Sequence, residues 1–293
     1  MFQVCDSIVV KYLGWLPDRW YLSLRYRLKM GHRINWKNPG TFSEKLQWLK
    51  IYNRRPEYTA MVDKAAVKDY VAKIIGKEYI IPTLGVWERP EDIAWEDLPE
   101  RFVLKATNGG GGCGVIICKD KDSFNKEDAI AQLNLALRTD IYRKYREWPY
   151  KNVPKRILAE MYIDVPEESS SISELHDYKF FCFNGKAHFF KVDFGRFTEH
   201  HANYFSLDGK LLEFGEKGLE PVLDYPLELP SNLNDMISIA ERVSQGHPFL
   251  RVDLYNVEGK ILFGELTFFP GSGMIPWTNQ EADIMIGKYL ALR

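Results

Sequence analysis

The chain has 293 residues, a formal net charge of −1 from 39 Lys and Arg against 40 Asp and Glu, and four cysteines with no Cys-x-x-Cys pair. Near-neutrality excludes a general nucleic-acid binder, and the scattered Cys5, Cys113, Cys118 and Cys182 exclude a disulfide framework or thiolate zinc site and fit a reducing cytoplasm. No apolar run approaches the roughly 18–20 residues of a spanning helix and no basic flank precedes a cleavable apolar segment, so a soluble, non-exported chain of two or three lobes is expected.

Residues 4–36 mix Trp15, Trp20, Tyr21, Tyr26 and Trp36 with Arg19, Arg25, Arg27, Lys29 and Arg33. On a helix this composition suits a packing arm with snorkelling arginines, the plainer reading, and it also describes a surface that lies on a membrane or meets a lipid-linked substrate. Thr41 with Glu44 three residues on is a capping-box pattern, and Phe42, Leu46 and Leu49 share a face, so a helix starts here. Asp63 ahead of Val67, Tyr70, Val71 and Ile74 predicts a second helix that carries Lys64 in its first turn and stops at Gly76. A lysine in a first turn opposes the helix dipole unless an anion is near; a solvated lysine is the plainer reading.

Residues 79–87 read as a strand broken at Pro82. The stretch 102–115, FVLKATNGGGGCGV, is an apolar run ending on Lys105, then Asn108 and the glycines Gly109, Gly110, Gly111 and Gly112, then a second apolar run from Val115. That is strand, loop, strand. Glycines let backbone N–H groups turn inward and approach an oligophosphate, beside which Lys105 would add a charge; an ordinary glycine-rich hairpin fits the same letters. A Walker A loop and a dinucleotide fingerprint are both excluded, because neither a Lys-Ser or Lys-Thr pair nor a helix follows the last glycine.

Residues 126–145 have helical periodicity and a basic end, Arg138, Arg143, Lys144 and Arg146, followed by Lys151, Lys155 and Arg156. Such a cluster either receives an acidic substrate or is a solvated face. A strand over 157–163 leads to a polar loop at 167–173. From Asp177 onward hairpins are predicted: 178–183 with 187–194 about Asn184-Gly185, and 204–207 with 211–214 about Asp208-Gly209. Asp177, Lys179 and Phe181 share a strand face, where acid and lysine form a surface pair or serve ribose and phosphate. After a helix over 234–244, a hairpin of 249–255 with 261–269 carries Arg251, Asp253 and Glu265. If the two carboxylates meet across it they repel unless protonated or bridged, an arrangement that invites Mg²⁺; on unrelated faces they are merely solvated. The loop Pro270-Gly271-Ser272-Gly273 could present backbone N–H groups to a reaction centre.

Taken in order, Asp63-Lys64, Lys105 before a glycine loop, the segment from Glu160 to Ile163, and Arg251-x-Asp253 with Glu265 on the returning strand resemble the ATP-grasp superfamily of carboxylate–amine ligases. The phrases NPGTFSEKLQWLKIY, VDKAAVKDYV, REWPYKNVPKRILAEMYI, DYKFFCFNGK and FLRVDLYNVEGKILFGELTFFP narrow this to a resemblance to its TupA-like branch, found in bacterial surface-polysaccharide gene sets, over nearly the whole chain from Asn38. The resemblance implies an α+β fold with a nucleotide between two lobes built on antiparallel sheets and a helical N-terminal arm. The expected segments are the arm at 1–60, an α/β segment at 61–100, a first lobe at 101–165 with the glycine loop, and a second at 166–293 with a metal-binding hairpin.

By matching positions, the resemblance implies that Lys64, Lys105, Asn108 and the 109–112 loop hold ATP phosphates, that Glu160, Met161 and Ile163 meet adenine, and that Asp177, with Glu167 as substitute, takes the ribose beside Lys179. Asp253 and Glu265 would bind Mg²⁺. Thr267 stands where many such ligases have asparagine, and its hydroxyl is a weaker oxygen ligand than an amide carbonyl. Arg251, Lys179, Gly271 and Gly273 would act at the reacting carbon. The implied activity is ATP-dependent amide formation between an amino compound and a sugar-acid carboxylate of a surface polysaccharide or its precursor, through an acyl phosphate. A sugar kinase on the same fold and a glycosyltransferase are the alternatives. Arg138, Arg146, Arg196, His200 and His201 are candidates for recognising the acid, and residues 4–36 for peripheral association with the inner face of the cytoplasmic membrane.

Overall fold

The computed structural model describes residues 9–164, 175–195, 200–219, 221–223 and 227–292. The chain divides into two units, each discontinuous in sequence: one of Met1–Arg54, Lys144–Arg146 and Glu167–Arg293, the other of Arg55–Arg143 and Glu147–Pro166. The arm therefore shares a unit with the C-terminal segments, and the 61–100 and 101–165 segments share the other.

In the Arg55–Pro166 unit, strands β1 (Thr83–Trp87), β2 (Phe102–Ala106), β3 (Val115–Cys118) and β4 (Ile157–Met161) form an antiparallel sheet in the order β1-β4-β2-β3. Period-2 alternation decides its faces. Phe102 and Leu104 of β2 and Ile157 and Ala159 of β4 enter a core with Ile93, Leu98, Cys118 and Leu133, while Lys105 and Glu160 project from the opposite face. Each large side chain so buried contributes about 1.5–3 kcal/mol relative to exposure.

Pro82 ends the expected 79–87 strand from within: Lys77–Tyr79 is a 3₁₀ turn, and the ladder begins only at Thr83, because proline has no N–H to give. The helix expected to start at Asp63 also starts later, at Ala66 (Ala66–Ile75). Asp63 instead closes the short helix Glu57–Val62, and its Oδ1 accepts the N–H groups of Ala65 (2.9 Å) and Ala66 (3.3 Å). Lys64 thus sits in a turn and not in a helical first turn. Gly76 caps the far end at φ +116°, as expected. The helices are labelled α1 (Asp18–Met30), α2 (Phe42–Tyr52), α3 (Glu57–Val62), α4 (Ala66–Ile75), α5 (Lys126–Arg138), α6 (Leu233–Ser244) and α7 (Gln280–Tyr289).

The other unit is built on a five-stranded antiparallel sheet of β5 (Asp177–Phe183), β6 (Lys186–Phe194), β7 (His201–Ser206), β8 (Phe249–Val257) and β9 (Lys260–Thr267), ordered β7-β6-β5-β8-β9. The hairpin expected beyond β7 closes only in part: its turn forms, but the return arm is a single bridge, Phe205 to Leu211, after which the chain bridges Glu216 to Trp277. Helix α6 packs on one face of the sheet through Met236, Ile239, Ala240 and Val243. On the other face aromatic residues stack, as Phe181 on Phe189 at 4.7 Å. Every residue of β5 is consequently buried, its charged ones included.

In the arm, α1 buries Tyr21, Leu22, Arg25 and Tyr26, and α2 starts with the full Thr41/Glu44 capping box. Among the described residues no helix is long and apolar enough to cross a membrane.

Candidate active site

The β5–β9 sheet carries one row of partnered residues across all five strands: Tyr204, Lys191, Lys179, Asp253 and Glu265, each opposite the next. Two residues along the strands, Asp193 lies opposite Asp177, and Arg251 opposite Thr267. Strand alternation puts all of them on one face, so a polar constellation is laid into an otherwise aromatic surface.

Lys179 is its centre. Its ammonium pairs with Asp177 and lies 3.4 Å from both Asp193 Oδ2 and Asp253 Oδ2, at 5% exposure. Burial works against its charge, and Asp177, Asp253 and Asp193 outweigh burial, holding the lysine above its ordinary value. Arg251 grips Asp253 with two hydrogen bonds, Nε to Oδ1 at 2.7 Å and NH2 to Oδ2 at 2.6 Å, and reaches Glu265 Oε1 at 3.0 Å. Burial pushes the Asp253 carboxyl up to about 6 against the pull of Arg251 and Lys179. Lys191 bridges Asp193 Oδ1 (3.1 Å) and Glu216 Oε1 (2.7 Å), and Glu216 also accepts the Tyr204 hydroxyl at 2.7 Å.

Three cations, Lys179, Lys191 and Arg251, thus face five carboxylates, Asp177, Asp193, Asp253, Glu216 and Glu265. A formal excess of two negative charges, with Asp253, Glu265 and Thr267 as hard oxygen donors, fits a divalent cation such as Mg²⁺. Glu265 is the open side of that set at 43% side-chain exposure, and Thr267 Oγ1 lies 3.5 Å from its Oε1. Among the described residues no group of three or more His, Cys, Asp and Glu side chains converges as a metal site by itself.

In the Arg55–Pro166 unit, Glu160 is 4% exposed and each of its oxygens meets a different lysine: Oε1 takes Lys68 at 2.5 Å and Oε2 takes Lys105. Two ammonium groups on one carboxylate leave an excess positive charge, which suits a phosphate. Nearby, Lys64 Nζ donates to the Gly109 carbonyl at 2.7 Å, and Gly111 (φ +60°) and Gly112 (φ +79°) adopt the left-handed region with open space where side chains would stand. Asn108, 4% exposed, donates to the Thr139 carbonyl, and its Oδ1 is buried with no donor reaching it among the described residues. These groups fit an oligophosphate.

Other expected residues are placed differently. Arg146 is 4% exposed, donates to the Gly14 carbonyl, pairs with Asp18 at 3.0 Å and stacks on Tyr21 at 4.1 Å. Its guanidinium is thereby committed to the arm and not presented to an acid. Arg138 is exposed at the end of α5. His200 is half-exposed and its Nε2 lies 3.0 Å from Asp193 Oδ1, whereas its neighbour His201 stacks on Phe194. The loop Pro270–Gly273 turns its carbonyls into α2: Gln47 Nε2 donates to Gly273 O at 2.7 Å, Lys50 Nζ to Ser272 O at 2.8 Å, and the Ser272 amide is used on Phe269 O. Met161 is partly exposed at the end of β4 and Ile163 follows it. Glu167 and Arg196 lie outside the described residues.

Sequence reasoning missed Lys68, Lys191, Asp193 and Glu216. The signal was there for three of them. Lys68 interrupts the apolar face between Val67 and Val71, and Lys191 and Asp193 repeat, two residues apart on an aromatic strand, the Asp177/Lys179 pattern.

A family model described as TupA-like ATP-grasp matches residues 44–291. Similar solved structures include D-alanine–D-alanine ligase from Helicobacter pylori (15% identity, 86% of this chain and 70% of that one, TM-score 0.45) and the Bacillus anthracis enzyme complexed with ATP (15%, 71% and 54%, TM-score 0.40). An L-amino acid ligase from Bacillus licheniformis is also similar (15%, 79% and 49%, TM-score 0.42). The chain spans about half to seven-tenths of the length of these three structures. No curated protein matches it.

Proposed function

The chain belongs to the TupA-like ATP-grasp family, with that superfamily's α+β fold on antiparallel sheets, and from this we propose that it is an ATP-dependent ligase joining an amino compound to a sugar-acid carboxylate of a surface polysaccharide or its precursor. What carries the proposal is the row from Tyr204 to Glu265, buried as far as Asp253 and open at Glu265, with Arg251 clasping Asp253. An aromatic sheet face has no structural need of Asp177, Lys179, Lys191, Asp193 and Asp253, and the burial of such charges is costly unless they serve chemistry.

In this reading Lys64, Lys105, Asn108 and the glycine turn take phosphates, Glu160, Met161 and Ile163 take adenine, and Asp177 takes the ribose. Asp253 and Glu265, with Thr267 as the weakest ligand, would hold Mg²⁺, which when bound offsets the repulsion between substrate carboxylate and triphosphate. The carboxylate oxygen attacks the γ-phosphorus, the bond to ADP breaks, and an acyl phosphate results. The amine nitrogen then attacks the acyl carbon; the C–N bond forms, phosphate leaves, and the nitrogen's proton passes to solvent. Arg251, held by two carboxylates, and Lys179 stabilise the charge that develops at the carbonyl oxygen, and Gly271 and Gly273 shape the loop beside it.

The acid itself is assigned to Arg138 and to His200, whose imidazole is oriented by Asp193. The arm is assigned to peripheral membrane association at the cytoplasmic face: Tyr12, Trp15 and Trp20 are 60%, 76% and 72% exposed, and Lys11, Arg19 and Arg27 are exposed on the same stretch.

The test is product analysis of purified protein with ATP, Mg²⁺ and a panel of uronic acids, with and without pooled amino acids. The expected result is ADP and free phosphate that depend on acid plus amine, together with a condensation product. ADP with a phosphorylated sugar and no free phosphate would make the protein a kinase instead, and consumption of a nucleotide sugar without ATP hydrolysis a glycosyltransferase.

A further inference from the structure

Lys68 is a lysine that the chemistry above does not use. It is 8% exposed on α4, and its ammonium meets three acceptors: the Ile81 carbonyl at 2.7 Å, Thr83 Oγ1 at 3.1 Å and Glu160 Oε1 at 2.5 Å. An ammonium has three N–H bonds, so every one is directed. Lys105, by contrast, is found against Glu160 alone among the described residues. The charged groups facing Glu160 are Lys68 from α4 and Lys105 from β2; from β1 it meets Thr83, its register partner.

The two lysines are therefore not equivalent. Lys68 is fixed by a main-chain carbonyl and a hydroxyl as well as by the carboxylate, while Lys105 has two N–H bonds to spare for a phosphate oxygen. We propose that Lys68 is a positioning residue that keeps Glu160 ionised and aimed while Lys105 turns to a nucleotide phosphate, and so sets the preference for adenine over guanine. The inference rests on the nucleotide reading above.

The chemistry is that of donors and acceptors. An ionised carboxylate only accepts, so it takes an exocyclic amino group and repels a carbonyl oxygen; a protonated one can donate to that oxygen. Burial pushes the Glu160 carboxyl up, and the ammonium groups of Lys105 and Lys68 outweigh burial and hold it below the ordinary carboxylate range. With Lys105 committed to phosphate and Lys68 absent, burial would win and Glu160 would take a proton.

The experiment measures ATP and GTP affinity by calorimetric titration of the full chain between pH 6 and 9, for the wild type and Lys68→Met. The wild type is expected to prefer ATP by a ratio that is flat with pH. In Lys68→Met the ratio should fall by ~10-fold or more at pH 6 and recover toward pH 9. Because Lys68→Met leaves a buried carboxylate with one partner and can fail to fold, the double variant Lys68→Met/Glu160→Gln is measured alongside; it should show the lowered ratio with no recovery at high pH. An unchanged ATP-to-GTP ratio in the variants, whatever their overall affinity, would overturn the inference and leave Lys68 a structural lysine. Wild-type protein that binds no ATP would overturn the nucleotide reading, and this one with it.

Discussion

Lys179 and Asp253 face each other across β5 and β8, yet Asp253 accepts its two short hydrogen bonds from Arg251 on its own strand and leaves Lys179 at 3.4 Å. The bidentate fork is local and the lysine contact is shared among three carboxylates. Removal of either cation should therefore fail in different ways.

Arg251→Lys keeps the charge but loses the planar fork, which a compact ammonium cannot reproduce. ADP release dependent on acid plus amine should fall by about 10²–10³-fold, the scale for loss of one oriented stabilising donor. Lys179→Met leaves buried carboxylates without their shared cation and should cost about 3–5 kcal/mol in stability. Urea unfolding of both variants separates the two effects; equal destabilisation would contradict the division of labour.

Glu160 makes stability depend on acid. Its folded pKa is depressed below the unfolded value of about 4.3, so its contribution is present in full above that value and is lost as pH falls through the folded pKa. Glu160→Gln has no proton to gain there. Thermal midpoints recorded from pH 6 to 3 should drop less steeply for the variant than for the wild type.

Gly273 adopts φ +64°, and a Cβ there would stand 2.9 Å from Leu46 Cβ and 2.6 Å from Gln47 Nε2. Backbone strain and contact with α2 act together in Gly273→Ala, which should lose about 1–3 kcal/mol by urea unfolding. Gly112→Ala has only the strain, since nothing lies within 4 Å of its Cβ position, and should lose less.

Arg146→Gln should unfold more readily, because it empties a buried position between Asp18, the Gly14 carbonyl and the Tyr21 ring. Its KM for any acidic substrate should match the wild type at temperatures where both are folded. A raised KM with unchanged stability would return Arg146 to substrate recognition.

Trp15 and Trp20 are exposed, so replacing both by Ser should leave the thermal midpoint within a degree or two. Co-sedimentation with vesicles containing anionic lipid should fall several-fold if the arm lies on a membrane. Undiminished co-sedimentation would remove the arm from that role.

How much of this was legible in the sequence depends on whether a signal was local. The Thr41/Glu44 capping box, the Gly76 stop and the Asn184-Gly185 turn all follow from neighbours a few residues apart, and each stands where its letters predict. The meeting of Arg251, Asp253 and Glu265 was also readable, because a short hairpin fixes its own register. Asp63 misled because one carboxylate can cap several N–H groups, and here it serves the turn before α4 as well as Arg156. The lysine partners of Glu160 were not readable, since Lys68 lies 92 positions away on a helix and Lys105 reaches it only through the pairing of β2 with β4. Arg146 looked like part of a basic surface for the same reason: its partners are more than a hundred residues earlier.

Lys50 is fully buried in α2 and donates to the Tyr145 carbonyl and to the carbonyl and hydroxyl of Ser272, a separation of 222 residues. Ser43 reaches Asp283 and Lys45 reaches the Leu290 carbonyl over still longer stretches. Helix α2 thus has to wait for partners that are synthesised some 222 to 245 residues later. At the usual rate of synthesis that interval is roughly 10–45 s, during which α2 holds an ammonium with no home. Until those partners arrive α2 stays open to chaperones and proteases, and a chain cut short before them would carry that exposure permanently.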